Sequence, residues 1–496
     1  MTAARSPGPD PALRARLLRP TLPELWLFLA LALPALAALI ASLSTVDLAY
    51  QLRAGADILA GRGIPTIDTW TFTAAGRAWV DQQWAAQAIL AAVYGATGWS
   101  GLAIFRAALV VATMAGILVA IRRRAPGLGH RAAALLALAA FVVMAPALAL
   151  RPQLLGMVLF AASLAILAGR TAHKRELWLL PVIAVAWANI HGSFVLVPVL
   201  LALAWLEDRA AGASRARQTL LVGLVATAAT CLTPYGPAVW TYAIGLARNP
   251  EVSGRISEWR PPAVTDVPGA LFWISVLAVV LALATLVRRG REIPWPTMLA
   301  LAVFAALAAI AARGVAWWPA VAVVAVAGLL PGAAADAPTR TWRRTPLNAL
   351  VAALIVAAGI AVLPVWRPVD RDLGAPSGLL AQASSGITAA LRDLATPADR
   401  VWNPQVWGSW FEFAVPAPAY AFDSRVEVFP GFLWETANAV AAAQTGWETA
   451  LDHYGATIVV TEGAATSPLA RVLADAAGWR LVHADDLGTV WARVTQ

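Results

Sequence analysis

Polar side chains that could do chemistry interrupt a series of long apolar runs at only a few points. Arg151 stands between one pair of runs, Arg313 between another, and Asn189, His191 and Ser193 occupy a third turn. Ionisable groups at membrane depth are costly, so they usually face a cavity or a partner. A single arginine could instead meet lipid headgroups or cap a helix. For the three turns together we predict convergence, and a phosphate is a natural ligand for two arginines and a histidine.

Asp47 is the leading candidate for an acid–base group because it comes directly after the first apolar run. A partly buried carboxylate at that place could remove the proton of an acceptor hydroxyl. Asp47 also precedes a helix predicted over 48–60, so it could instead cap that helix. Asp68 and Asp81 are further candidates, as is Asp57, and the setting of Asp68 is typical of a turn aspartate.

Standard motifs give no further chemistry. The sequence contains no phosphate-binding P-loop, no His/Cys metal spacing and no convincing GxSxG. Tryptophans crowd the C-terminal part, where they could stack on sugar faces, form a core or dock on a membrane. These tryptophans are Trp402, Trp407, Trp410, Trp434, Trp447, Trp479 and Trp491.

The elements that must position these residues are membrane helices. The chain has 496 residues, 60% of them hydrophobic, and a mean hydropathy of +0.68. Many apolar runs reach the roughly 20 residues that cross a bilayer core. We therefore predict an all-α polytopic membrane bundle of about 11 transmembrane helices. The spans are placed at about 24–44, 102–121, 132–150, 153–168, 177–190, 193–206, 218–233, 270–287, 295–311, 315–331 and 347–365.

The basic residues set the predicted orientation. Of 37 lysines and arginines, 20 lie in the N-terminal segment and in every second gap between spans. The positive-inside rule makes that side cytoplasmic. The prediction is a cytoplasmic segment 1–23, a transmembrane domain 24–365 and an extracytoplasmic tail 366–496. The tail is acidic, with eight arginines against fourteen acids. The net charge of +9 therefore comes from the basic residues on the predicted cytoplasmic side and reflects membrane topology. No nucleic acid partner is expected.

Three outer segments are long enough to carry function. They are a first outer loop at 45–101, a second at 234–269, and the tail. In the first loop, a second helix over 82–97 is predicted to lie at the membrane–water interface. If it instead crossed the membrane, the predicted orientation of every later segment would be inverted. The tail is predicted to be an α/β domain. Its predicted strands and helices are 419–422, 457–460 and 489–492, and 433–453 and 467–477 respectively.

Several stretches resemble integral membrane glycosyltransferases of the GT-C type. The first loop carries Asp47-Leu48-Ala49-Tyr50-Gln51-Leu52-Arg53-Ala54-Gly55, and its similarity continues through Asp68-Thr69-Trp70 and Gln83-Trp84. The remaining similar stretches are Arg151-Pro152-Gln153, Asn189-Ile190-His191-Gly192, Thr233-Pro234-Tyr235-Gly236, Glu258-Trp259-Arg260-Pro261-Pro262, Trp407-Gly408-Ser409-Trp410 and Phe422-Asp423-Ser424-Arg425. The similarity is greatest to the bacterial branch related to protein mannosyltransferases and aminoarabinose transferases.

This resemblance implies a donor sugar on a polyprenyl phosphate and chemistry on the outer face of the bacterial cytoplasmic membrane. It implies that Asp47 is the base toward the acceptor. It also implies that Arg151, His191 and Arg313 hold the lipid phosphate. The acceptor would be an extracytoplasmic glycan, lipid or protein. Further candidate site residues are Asp68, Gln83, Trp84, Asn189, Tyr235 and Glu258.

The sequence departs from the pattern of these relatives in its acids. Val46 and Leu48 flank Asp47, and Gln51 and Gln83 stand where relatives often carry a histidine and a glutamate. We therefore expect a mechanism without a divalent metal and no other cofactor. A lipid-linked glycan ligase or polymerase is the alternative enzyme, and a transporter or scaffold is the alternative of another class. Whether Asp423 and Arg425 touch the acceptor or brace the tail stays open.

Overall fold

The computed structural model describes residues 20–331 and 344–494. Most of the predicted cytoplasmic segment 1–23 lies outside the described residues. So do six of the basic residues used to predict orientation, namely Arg5, Arg14, Arg16, Arg19, Arg340 and Arg343. The helices before the tail are α1 (Leu22–Ile40), α2 (Thr45–Leu59), α3 (Trp84–Arg124), α4 (His130–Met144), α5 (Pro152–Gly169), α6 (Leu180–Ile190), α7 (Leu196–Ala210), α8 (Ala216–Ala229), α9 (Ala238–Arg248), α10 (Pro250–Arg255), α11 (Val267–Arg288), α12 (Trp295–Ile310), α13 (Trp318–Leu329) and α14 (Pro346–Ala361).

One of these helices overlaps each predicted span, and several of the helices are shorter than the span that predicted them. Among the described residues, five helices are long and apolar enough to cross a membrane. Helix α11 fits lipid contact best, because only 11% of its apolar window is buried. Four shorter apolar helices accompany them, namely α8, α12, α13 and α14. The chain is a multi-pass membrane protein, and the number of eleven spans stays a prediction.

Helix shortening has a local cause in the outer turns. The chain tightens into short 3-10 helices there, at Ala145–Ala147, Gly192–Val195 and Ala312–Ala316. A 3-10 turn satisfies the carbonyls that a helix end leaves unpaired. Each of these segments lies beside one of the polar turns, so the polar side chains sit at helix ends.

Helix α3 joins two elements that the sequence separates. Its 41 residues include all but the first two residues of the predicted interfacial helix 82–97, and the whole span 102–121. Gly98 divides them with φ 63° and ψ −162°, a conformation that essentially only glycine adopts. Beyond this break, the buried Arg106 donates to the carbonyls of Ser42, Ala38 and Ala41. Arg106 thereby satisfies backbone carbonyl groups at the C-terminal end of α1, just before the chain enters the first outer loop.

The tail is a mixed α/β domain. Its five-stranded sheet has the order β6-β5-β7-β9-β8; β5 is parallel to β6 and β7, and β9 is antiparallel to β7 and β8. The elements of this domain are β2 (Val369–Asp370), β3 (Ala375–Pro376), β4 (Leu380–Ala381), α15 (Ser385–Leu394), β5 (Arg400–Trp402), α16 (Gln405–Ala414), β6 (Ala419–Tyr420), α17 (Gly431–Ala441), α18 (Trp447–His453), β7 (Ile458–Glu462), α19 (Pro468–Asp475), β8 (Trp479–Ala484) and β9 (Gly488–Arg493).

Two tail predictions need correction. The helix predicted over 433–453 is divided into α17 and α18, because Ala443 (φ 52°) and Gly446 (φ 93°) turn the chain between them. The strands β5 and β8 were not predicted. Strand β5 is only three residues long and β8 alternates weakly, with a bulge near His483, so neither shows a clear strand period.

The first outer loop is docked onto the tail. Strand β1 (Leu43–Ser44) pairs in parallel with β4, and the Phe72 backbone N–H donates to the Tyr420 carbonyl at 3.0 Å. Thr73 also donates to the Ala421 carbonyl. The bonds from Phe72 and Thr73 cover the free edge of β6, so the first outer loop packs directly against the tail.

Candidate active site

Arg151 joins two outer segments at the mouth of the bundle. It lies directly before α5, and its Nε is 3.1 Å from Asp47 Oδ2 on α2. Its Nη1 is 2.6 Å from Glu258 Oε1 in the second outer loop. The guanidinium therefore uses two of its edges to hold carboxylates from two different loops, a geometry that a lysine could not reproduce.

Arg313 completes this ion-paired group from a third turn. Its Nε is 3.2 Å from Glu258 Oε2, and its guanidinium carbon lies 4.9 Å from the Trp259 ring centroid. Burial alone would raise the pKa of Glu258, but the charges of Arg151 and Arg313 outweigh it and hold that pKa below its ordinary value. Arg151 and Arg313, the two arginines predicted to bind phosphate, therefore both pair with the ionised carboxylate of Glu258.

His191 enters the same space as a neutral group. Burial and the charge of Arg313 lower the pKa of His191 to about 3. Its Nδ1 accepts from the Ser193 backbone N–H at 3.1 Å, which leaves the proton of the neutral ring on Nε2. His191 can therefore donate one hydrogen bond to an anion without adding a charge.

The described residues line a cavity of about 980 Å³ between the outer turns of the bundle and the tail domain. Six of the predicted site residues line it: Asp47, Gln83, Arg151, His191, Glu258 and Arg313. On the tail side it is lined by aromatic and polar residues from β5, α17 and β7. The cavity thus has cationic and neutral hydrogen-bond donors at its bundle end and aromatic and polar side chains at its tail end.

Gln83 reaches the cavity through a hydrogen-bonded chain. Gln51 donates to Gln83 Oε1 at 3.1 Å and to the Tyr50 hydroxyl at 2.6 Å. Gln51 and Gln83 are therefore bonded to each other. They provide neutral hydrogen-bonding groups next to Asp47.

Four other predicted residues, Trp84, Asn189, Tyr235 and Asp68, do not line the cavity. Trp84 Nε1 donates to Asn189 Oδ1 at 2.9 Å, and the Asn189 amide donates to the Leu232 carbonyl at 3.0 Å. Tyr235 lies just beyond, with its backbone N–H bonded to Thr233. Asp68 is fully buried and accepts from the backbone N–H groups of Trp70 and Thr71, as a turn aspartate does.

Asp423 and Arg425 brace the tail and do not face the cavity. Arg425 is 1% exposed and lies 2.6 Å from Asp68 Oδ1, while also pairing with Asp423. Its guanidinium carbon is 4.4 Å from the Trp70 ring and 4.5 Å from the Trp79 ring. The charged group therefore locks the first outer loop against the tail.

Sequence reasoning missed two residues that line the cavity from other segments. Tyr242 comes from α9, and Glu427 comes from the short 3-10 helix Val426–Val428 of the tail. Glu427 stands two residues after the Arg425 motif, but nothing in that spacing showed that it points into the cavity. Only the docking of the tail brings it there.

Among the described residues there is no group of three or more His, Cys, Asp or Glu side chains that could hold a metal ion. The two acids nearest to the predicted phosphate ligands, Asp47 and Glu258, are both paired with Arg151. Arg151 therefore already brings positive charge to both carboxylates.

Asp81 gives the first outer loop a pH-sensitive element. Its side chain is 2% exposed, and burial raises its pKa from 3.8 to about 7, although a 2.6 Å hydrogen bond from Gln87 opposes this. The protonated form is thus favoured in the folded state. This contribution to stability is complete below pH 3.8 and is lost as the pH rises through about 7.

We predict that Asp81→Asn flattens this dependence, because the amide stays neutral at every pH. The melting temperature in detergent should fall between pH 5 and pH 8 for the wild type, by an amount that reflects a few kcal/mol at most. It should fall less for the variant. Asp57→Asn, at an exposed ion pair of the same loop, is the control. Equal slopes for Asp81→Asn and the wild type would contradict the prediction.

The fold is similar to that of the Archaeoglobus fulgidus oligosaccharyltransferase. For its apo form the TM-score is 0.58 at 12% identity, covering 88% of this chain and 69% of that one. For the form tethered to an acceptor peptide with the NVT sequon the values are 0.50 and 11%, with the same coverage. That enzyme is of the GT-C type, so the chain has a GT-C fold. No protein-family profile and no curated protein sequence matches the chain.

Proposed function

We propose that this protein is a membrane glycosyltransferase that moves a sugar from a polyprenyl-phosphate donor to an extracytoplasmic acceptor. The observation that carries the proposal is the cavity in which Arg151, Arg313 and neutral His191 converge beside Asp47. The GT-C fold supports the class of enzyme. The sequence resemblance supports the bacterial branch and its location in the cytoplasmic membrane, with the tail outside.

The donor phosphate would bind at the basic end of the cavity. Its oxygens would replace the carboxylate of Glu258 on Arg151 and Arg313, and they would accept a hydrogen bond from His191 Nε2. Charge-assisted bonds of this kind are about twice as strong as neutral ones. They would also strengthen as the phosphate gains charge in the transition state, which lowers the barrier.

The acceptor would bind between this end and the tail. As the bond between the anomeric carbon and the phosphate oxygen breaks, its electron pair stays on the phosphate. The acceptor oxygen forms the new glycosidic bond, and its proton passes to Asp47. Asp47 is suited to this role because only one of its oxygens, Oδ2, pairs with Arg151, which orients the carboxylate at the cavity.

The reaction is proposed to need no divalent cation. The support is the neutralisation of Asp47 and Glu258 by arginines, which already supply the positive charge that a metal ion would bring to the phosphate. The chain would thus use fixed guanidinium groups for leaving-group stabilisation.

The test is sugar transfer from synthetic short-chain polyprenyl-phosphate mannose and arabinose by the purified protein, with and without EDTA. We expect transfer or donor hydrolysis by the wild type that is unaffected by EDTA and reduced at least about 100-fold in Asp47→Asn. Loss of activity with EDTA would refute metal independence. Equal activity of Asp47→Asn would refute its role as base. No activity and no donor binding by the wild type would favour a scaffold or transporter.

A further inference from the structure

The tail closes the cavity with the carboxyl ends of strands β5 and β7. These strands are parallel neighbours, with Trp402 paired to Val459. The chain passes from β5 to β6 on one side and returns through α17 and α18 to β7 on the other. In parallel sheets, ligands bind in the crevice outside the carboxyl ends of the strands where the strand order reverses in this way. The segments 402–406 and 460–463, which end β5 and β7, both line the cavity.

Trp434 of α17 is fixed beside the end of β5. Asn403, directly after β5, donates to the Phe422 carbonyl at 2.9 Å, and the Phe422 ring stacks on Trp434 with centroids 5.4 Å apart. The guanidinium carbon of Arg255, from the second outer loop, lies 5.4 Å from the same indole. Trp434 is 6% exposed and lines the cavity, yet its indole N–H has no hydrogen-bond partner among the described residues. A buried donor without a partner is unfavourable, so this N–H offers a bond to a ligand oxygen.

Ser467 offers a second unpaired polar group at the end of β7. Its hydroxyl makes no hydrogen bond to the first turn of α19 or to any other part of the chain that the structure describes. It adjoins the end of β7, since a Cβ built on Gly463 would lie 3.8 Å from Ser467 Cβ. Ser467 also lines the cavity. Its hydroxyl can therefore donate to a bound molecule or accept from it.

Three more exposed side chains complete this end of the cavity. Gln405 follows β5, Glu462 ends β7, and Asn438 lies on α17. Within the described ranges, 20–331 and 344–494, none of these three side chains forms a hydrogen bond or an ion pair. At the bundle end, by contrast, both carboxylates are paired with Arg151. The polar groups of the tail end are thus available to a ligand without breaking a bond within the protein.

This set of groups matches a polyhydroxylated ligand. The indole N–H donates, the amides and the serine hydroxyl donate and accept, and the carboxylate of Glu462 accepts, as sugar hydroxyls require. An anion would be repelled by Glu462, and an acyl chain would leave these polar groups unpaired. An extended peptide binds well to a free strand edge, but the first outer loop covers β6. The other edge strand, β8, does not line the cavity.

We propose that the acceptor is a glycan and that its sugar residues bind at the carboxyl ends of β5 and β7, on Trp434, Ser467 and Glu462. The inference rests on the proposed glycosyl transfer and names the class of its acceptor. The indole N–H donates to one sugar hydroxyl, and the Glu462 carboxylate accepts from another. The hydroxyl that receives the new sugar extends toward Asp47, which lines the same cavity.

The first measurement is acceptor binding by the full-length protein in a detergent without a sugar headgroup, followed by saturation-transfer NMR. The probes are mannotriose and arabinotriose, and a capped Gly-Ser-Thr peptide represents the peptide alternative. We expect a trisaccharide to bind and the peptide not to bind. Binding of the peptide alone, or no binding of either trisaccharide, would overturn the proposal.

The second measurement compares variants that each remove one polar group from this end of the cavity. Glu462→Ala, Ser467→Ala and Trp434→Phe should each raise the trisaccharide Kd by about 5- to 10-fold, and the acceptor KM with it. Binding and hydrolysis of the polyprenyl-phosphate sugar should not change. Trp434→Phe keeps an aromatic ring on Phe422, so it tests the N–H rather than the packing.

Glu435→Ala is the matched control, because Glu435 is an exposed carboxylate of α17 that does not line the cavity. It should leave the trisaccharide Kd unchanged. An unchanged Kd in all three variants of the cavity would overturn the site. An increase in Glu435→Ala equal to theirs would show an effect that is not local, and this also overturns the site.

The outcomes separate the glycan site from the proposed function. Donor binding and hydrolysis by the wild type without trisaccharide binding overturn the acceptor class and leave the glycosyltransferase standing. Trisaccharide binding that weakens in Glu462→Ala, without any donor binding or transfer by the wild type, overturns the proposed function and leaves a glycan site on the tail.

Discussion

Replacing Arg151 by methionine should weaken donor binding and reduce sugar transfer by about 100- to 1,000-fold. Arg151 is the group that contacts both Asp47 and Glu258. Methionine preserves much of the side-chain volume and removes the charge, so the phosphate loses a charge-assisted donor. Asp47 loses its orienting partner in the same step. Donor binding measured by calorimetry, together with kcat and KM for transfer, separates these two losses.

Arg151→Lys sharpens this prediction. Lysine keeps the charge but cannot present two guanidinium edges to two carboxylates. We expect Arg151→Lys to retain part of the donor binding while losing most of kcat. Arg62→Met, at an exposed ion pair of the first loop, serves as the control and should behave like the wild type. Normal donor binding by Arg151→Met would contradict a phosphate site at this end of the cavity.

Arg425→Leu should detach the first outer loop from the tail and destabilise the protein by about 3–5 kcal/mol. The substitution removes the only ion-pair partner that Asp68 and Asp423 have among the described residues and leaves both carboxylates fully buried. It also removes a cation from between the Trp70 and Trp79 rings. Arg53, which also lies over the Trp70 ring, is 3.7 Å from Glu412 and forms no ion pair with Asp68 or Asp423 among the described residues, so it does not replace Arg425.

Thermal unfolding in detergent and limited proteolysis of the first loop measure this effect. Arg493→Leu is the matched control, since Arg493 pairs with Asp452 on the exposed surface of the same domain and should cost at most about 1 kcal/mol. Unchanged melting and unchanged protection of the loop in Arg425→Leu would show that the loop and the tail do not depend on this contact.

The two predictions concern different uses of arginine in one chain. Arg151 is 27% exposed at its side chain and lines the cavity, so its partners can be exchanged for a ligand. Arg425 is buried, and its partners are fixed. The same side-chain type therefore serves binding in one place and folding in the other, and burial decides which.

The sequence by itself determined the membrane character of the chain and the position of its polar turns. Apolar runs near bilayer length predict helices, and a helix occurs in each of the eleven predicted spans. Charged groups at the ends of apolar runs must find partners or a cavity, because lipid offers none. That constraint can be recognised in the local sequence. The placement of Arg151, His191 and Arg313 at one cavity could therefore be predicted before the structure was known.

Helix ends, on the contrary, were less well predicted. The runs 177–190 and 315–331 contain helices that begin only at Leu180 and Trp318, after 3-10 segments. The apolar composition continues through these turns. Composition does not show where the hydrogen-bond pattern changes from a 3-10 helix to an α-helix. The sequence therefore overestimated the length of several helices.

Only the tertiary structure decided which acids meet in the cavity. Asp68 and Asp47 both lie in the first loop, yet one is locked to Arg425 and the other to Arg151. Glu427 is 380 positions from Asp47 in the chain, and no periodicity or spacing links them. Their meeting depends on the edge of β6, where backbone bonds from the first loop fix the tail against the bundle. Pairing across such a distance is set by packing and hydrogen-bond complementarity between finished surfaces, which a local pattern of residues does not contain.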